Sequence, residues 1–94
     1  VAENRKSDDL YIGCYPNPAN VKTEIEYNIG KSGNVSIDLI NSAGRVEKSI
    51  LSNQKTTAGL HSLNLPTDDL VPGAYFISIR NGSEKAIKKL MVIR

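Results

Sequence analysis

The stretch TEIEYNIGKSGNVSIDLI, residues 23–40, decides the fold. Ile25, Tyr27 and Ile29 alternate with Glu24, Glu26 and Asn28. After the turn residues Lys31 to Asn34, Val35, Ile37 and Leu39 alternate with Ser36 and Asp38. A period of two puts all the apolar side chains of each run on one face, which is the pattern of a half-buried β-strand. Two such strands joined by a short polar turn each carry one wet face and one face that must be covered. Antiparallel sheets packed over a shared core meet that need.

Working outward, the rest of the chain repeats the theme of short apolar runs between turn residues. Leu10 to Tyr15 reads as a strand stopped by Pro16 and Pro18, neither of which can donate a ladder hydrogen bond. Past residue 40, Asn41 to Gly44 is a four-residue turn. Val46 to Leu51 alternates poorly and suits an edge, with Glu47 and Lys48 protecting it. Ser52 to Ala58 reads as a polar loop, and Leu60 to Leu65 as a strand with His61, Leu63 and Leu65 on one face. The connection Pro66 to Pro72 drops Leu70 into the end of the core. Ala74 to Arg80 buries Tyr75, Ile77 and Ile79, and Asn81-Gly82 suits a type I′ turn into a last strand, Ala86 to Ile93. The expected fold is therefore all-β, a seven-stranded antiparallel immunoglobulin-like β-sandwich, with a small barrel as its competitor. Residues 1–9 are polar, charged and aperiodic, and read as a linker; residues 10–94 form the domain.

Composition sets the limits. Ninety-four residues, 39% of them hydrophobic, support one thin core. The net charge of +2 is spread over interleaved acids and bases, unlike the concentrated basic stripe of a nucleic-acid binder. No apolar run reaches the roughly 18 residues that span a bilayer, so no direct membrane insertion is expected. Val1 is not a Met and no signal-peptide pattern follows it, which reads as a cut inside a longer polypeptide.

Catalysis needs a nucleophile, a base and a group to orient the base. The chain offers one cysteine, Cys14, and one histidine, His61. No cysteine-protease signature surrounds Cys14, which reads instead as a small half-buried thiol, and His61 as a hydrogen-bonded strand-end residue. One histidine and one cysteine build no zinc site, and Asp8-Asp9 and Asp68-Asp69 lack the spacing of a calcium loop. The lysines of residues 83–94 have no aromatic residue among them, which removes the stacking half of a single-strand nucleic-acid site. With no Trp, Tyr11 is the one plausible sugar platform. No enzyme activity, cofactor or nucleic-acid partner is expected.

Three features taken together resemble a known family. Tyr15-Pro16-Asn17-Pro18-Ala19-Asn20 closes the first strand ahead of the alternating run at Ile25. Leu70-Val71-Pro72-Gly73-Ala74-Tyr75 leads into another alternating strand. Lys88-Lys89-Leu90-Met91-Val92-Ile93-Arg94 is a basic-apolar finish. In order and spacing this set is similar to the C-terminal sorting domain (the Por-secretion tail class) of the Bacteroidetes type IX secretion system. The resemblance covers about residues 10–94.

It implies a tail that follows an N-terminal cargo domain and is recognised by an outer-membrane translocon. The tail is then removed by a sortase-like cysteine peptidase, leaving the cargo extracellular or at the cell surface. It further implies Pro16, Asn17, Pro18, Gly73 and Tyr75 as motif positions, Lys89, Leu90, Met91, Val92, Ile93 and Arg94 as the recognised strand, and Ser7, Asp8 and Asp9 as the cleavage region. The alternative is a non-catalytic immunoglobulin- or fibronectin-like binding or spacer module of a secreted enzyme or adhesin.

Overall fold

A computed structural model describes residues 10–94 of the chain. It contains seven strands: β1 (Tyr11–Tyr15), β2 (Lys22–Ile29), β3 (Gly33–Asn41), β4 (Val46–Thr56), β5 (Gly59–Pro66), β6 (Gly73–Asn81) and β7 (Glu84–Val92). They form two antiparallel sheets, one ordered β1-β2-β5 and the other β4-β3-β6-β7. The chain is an all-β sandwich. The boundaries expected from sequence hold to within two residues for six strands.

The core lies between the sheets and consists of the alternating residues that the pattern assigns inward. Ile25, Tyr27 and Ile29 come from β2, Val35, Ile37 and Leu39 from β3, Tyr75, Ile77 and Ile79 from β6, and Leu90 and Val92 from β7. Leu70 closes one end, as expected of the 66–72 connection. Each of these large side chains contributes about 1.5–3 kcal/mol by leaving water, before conformational entropy is subtracted.

Two expectations need correcting. The loop assigned to residues 52–58 is mostly strand, because β4 runs on to Thr56 and pairs Val35 with Gln54 and Gly33 with Thr56. β4 is an edge strand with both faces wet over residues 52–55, so no burial pattern marks it, and register shifts against β3 break its alternation. The hairpin at residues 81–84 is not type I′. Asn81 pairs with Glu84 inside the ladder, and Gly82 with φ 63° leads the turn, the pattern of type II′. Asn81 serves a different purpose: its Nδ2 donates to Lys31 O at 2.9 Å, fastening the β2–β3 turn.

Candidate functional site

At one end of the sandwich, three segments far apart in sequence are bound into a single cap: residues 15–22, residues 66–73 and the end of β7. The Tyr15–Pro16 and Asn17–Pro18 peptide bonds are both cis. Pro16 and Pro18 have no N–H, so their stretch cannot pair as an ordinary strand. Side chains take over that work. The amide of Asn17 donates through Nδ2 to Lys89 O at 2.9 Å and accepts from Met91 N at 3.0 Å, copying a backbone pair against β7. Ala19, fully buried, continues the ladder: its N–H donates to Met91 O at 2.8 Å and its carbonyl accepts from Ile93 N at 2.8 Å. This is a parallel bridge between Ala19 and Val92.

Two fully buried threonines hold the remainder of the segment. Thr23 Oγ1 donates to Pro16 O at 2.9 Å, and Thr67 Oγ1 donates to Asn20 O at 3.2 Å. Thr67 N also donates to Val21 O at 2.8 Å. Arg94 completes the knot. Its guanidinium donates to Asn20 O at 2.8 Å, Ile93 O at 2.9 Å, Thr67 O at 2.9 Å, Asp68 O at 3.1 Å and Leu70 O. The two Nη groups of the planar fork carry four N–H donors, which carbonyls from three chain segments share.

The Gly73-Ala74-Tyr75 motif has a local explanation. Tyr75 is buried and its hydroxyl donates back to Val71 O, bending the 67–72 loop onto the head of β6. Gly73 has φ 150°, a conformation that side-chain-bearing residues rarely adopt, so the corner requires glycine there.

The residues expected at the site thus fall into distinct roles. Pro16, Asn17 and Pro18 form the cap's outer segment, and Gly73 and Tyr75 its corner. Of the recognised strand, Leu90 and Val92 are core residues, Met91 is half-buried, and Lys89, Ile93 and Arg94 are exposed. Ser7, Asp8 and Asp9 lie outside the described residues.

The end of β7 is not a free pairing edge, because Asn17 and Ala19 already occupy it over Lys89–Ile93. By the two-residue alternation, Lys85 and Ile87 present their backbone groups on the same edge, where no described strand pairs. Ala19, Thr23 and Thr67, which sequence reasoning missed, turn out to be cap residues. A buried threonine at the start of a strand or loop carries no pattern that separates it from an exposed one.

The remaining candidates do not converge. Cys14 pairs with Ile25 and His61 with Tyr27. They stand two strands and two residues apart on one sheet, about 12 Å by strand spacing and rise, beyond proton-transfer reach. Burial pushes the Cys14 thiol up from its ordinary value, offset in part by the charge of Lys88 and by the neighbouring Thr23 hydroxyl. His61 stacks on Tyr27 with ring centroids 5.4 Å apart, and its Nε2 lies 2.7 Å from Thr57 O. Asp69 pairs with Lys48 at 3.0 Å, a hydrogen bond that holds its carboxyl below the usual range. Among the described residues no group of three His, Cys, Asp or Glu side chains gathers as a metal site. The phenol of Tyr11 lies over Gly13, within 2.5 Å of where a Cβ there would sit.

The decisive comparison is with protein families. The profile described as the secretion system C-terminal sorting domain matches residues 13–93, from the middle of β1 to the residue before Arg94. The chain belongs to that family. It is a type IX secretion sorting domain. The match spans nearly the whole sandwich and takes in all three cap segments apart from Arg94. No curated protein matches the chain. A sorting domain implies a cargo protein and the type IX machinery, and export across the outer membrane toward the cell surface or the extracellular space. The family is not a catalytic one.

Proposed function

We propose that this domain directs a preceding cargo through the type IX outer-membrane translocon, which reads the cap built on Lys89 to Arg94, and that a sortase-like cysteine peptidase then cuts the chain within Ser7–Asp9. The observation that carries this reading is the interlock of the family's end segments. Asn17, Ala19 and Arg94 bind β7 and the residues after it into the Pro16–Asn20 segment, so residues 89–94 are part of a built surface. The polar, charged and aperiodic sequence of residues 1–9 supports the proposed cleavage position.

The test is a fusion of residues 1–94 behind a periplasm-folding reporter in a bacterium with a working type IX system. Reporter in the medium or on the surface, with a new terminus at residues 7–9 by mass spectrometry, is the expected result. Reporter held in the periplasm sinks the sorting role. Export without cleavage sinks only the peptidase step.

A further inference from the structure

The outward side of the β1-β2-β5 sheet carries a depression of about 400 Å³ whose lining includes Tyr11, Gly13, Tyr15, Glu24, Glu26 and Ser62. The register puts these residues on one face. Gly13 stands opposite Glu26, Glu26 opposite Ser62, and Tyr15 opposite Glu24. Their neighbours of the other parity, Ile12, Ile25 and Tyr27, are buried in the core, so this row points to water. The glycine makes the hollow. Tyr11 lies across Gly13, its hydroxyl 2.5 Å and its Cζ 3.1 Å from where a Cβ would stand. That directs the phenol along β1, toward the row that holds Glu26. Tyr15, at the end of the same strand, is 80% exposed. Two aromatic rings and two carboxylates therefore share one hollow. Its floor is sheet rather than loop, so its backbone needs little ordering when something binds.

Charge decides the occupant. Glu24 and Glu26 form no ion pair among the described residues, and no basic side chain lines the depression. Lys22, the next residue on that side of β2, stands opposite Pro66 and outside the lining. Lys88 is near Cys14, but Cys14 packs against the core, so that charge sits on the other side of β1. Tyrosine faces attract cations, and a carboxylate takes a guanidinium through two parallel hydrogen bonds. A neutral sugar would use the rings but gain nothing from the two uncompensated charges. We propose that this depression binds an arginine side chain presented by a partner protein, with the guanidinium against the tyrosine rings and on the Glu24 and Glu26 carboxylates. The proposal goes beyond the sorting reading, because the site lies on the sheet that does not contain β7, and either can fail alone.

The test titrates the isotope-labelled 94-residue chain with the blocked peptide Gly-Ser-Arg-Ser-Gly and follows amide chemical shifts. The amides of Gly13, Tyr15, Glu26 and Ser62 are expected to shift and saturate together. The same peptide with citrulline for arginine, equal in shape but uncharged, should bind about tenfold more weakly, the worth of a charge-assisted hydrogen bond. Glu24→Gln, Glu26→Gln and Tyr15→Leu change exposed side chains, so melting temperatures should match the parent while each raises Kd about fivefold. Glu84→Gln removes the same charge from the start of β7 and should leave Kd unchanged. An equal loss in Glu84→Gln would mean diffuse attraction and overturn the site. Citrulline binding as tightly as arginine overturns the part played by charge. An arginine peptide that moves none of these amides overturns the proposal, and maltotriose moving them instead makes the hollow a sugar site.

Discussion

Replacing Thr23 by valine removes one hydroxyl and changes almost nothing else. Thr23 is fully buried at the start of β2, and its Oγ1 donates to Pro16 O at 2.9 Å. Valine fills the same volume, so no cavity opens, but the Pro16 carbonyl loses its donor and the Cys14 thiol loses a polar neighbour. Pro16 is exposed and the bond is part-buried, so its loss costs about 0.5–1.5 kcal/mol. For a domain of this size each 1 kcal/mol moves the melting temperature by roughly 4–8 °C. With a urea slope of about 1–3 kcal/mol/M, a loss near 1 kcal/mol shifts the midpoint by roughly 0.5 M at unchanged slope. The assay is urea unfolding followed by far-UV circular dichroism, with Thr57→Val at an exposed position as control. If Thr23→Val unfolds within about 0.5 kcal/mol of the parent, surface-like behaviour by the usual measure, the tether does not hold the cap.

The remaining expectations are more local. Asn17→Ala removes the donor to Lys89 O and the acceptor for Met91 N, so the Met91 amide should exchange with deuterium at least tenfold faster while the Ile77 amide keeps its protection; equal protection at Met91 would show that the side chain does not cap β7. Cys14 and Tyr27 both carry pKa values raised by burial above their ordinary 9.0 and 10.0. The unfolded chain thus loses those protons first: their contribution to stability is complete below pH 9.0 and fades as pH rises through the folded-state values. Urea midpoints taken from about pH 8 upward should fall on the alkaline side, less steeply in Cys14→Ala, and a profile unaffected by that substitution would refute the thiol's part in it.

The sheets were legible because burial is one-sided. On β2, β3 and β6 every second residue enters the core, so the pattern marks strand, face and extent at once. β4 escaped over Ser52–Lys55 because an edge strand with two wet faces has no apolar row to betray it. The Asn81 turn misled for a different reason: Asn-Gly supplies the positive φ of type I′, but here the Asn amide is engaged by Lys31 O and Gly82 alone takes positive φ. At the cap, the family motif located Pro16–Pro18, Gly73–Tyr75 and the last strand, yet not their mutual contacts. Asn17 meets Met91 and Arg94 meets Asn20 across 74 residues each, and nothing in a local pattern encodes a partner that distant.

That separation also orders events in time. Bringing together segments some 74 residues apart costs about 4 kcal/mol in loop-closure entropy plus a constant. The Asn17–Met91 joint therefore cannot start folding, and forms only once both sheets have shortened the distance. During synthesis β1 and β2 must wait for nearly the whole chain to emerge before Asn17 and Ala19 find β7. The same joint should be among the first to part under stress, which makes the cap the region where a damaged or truncated copy would first differ from an intact one.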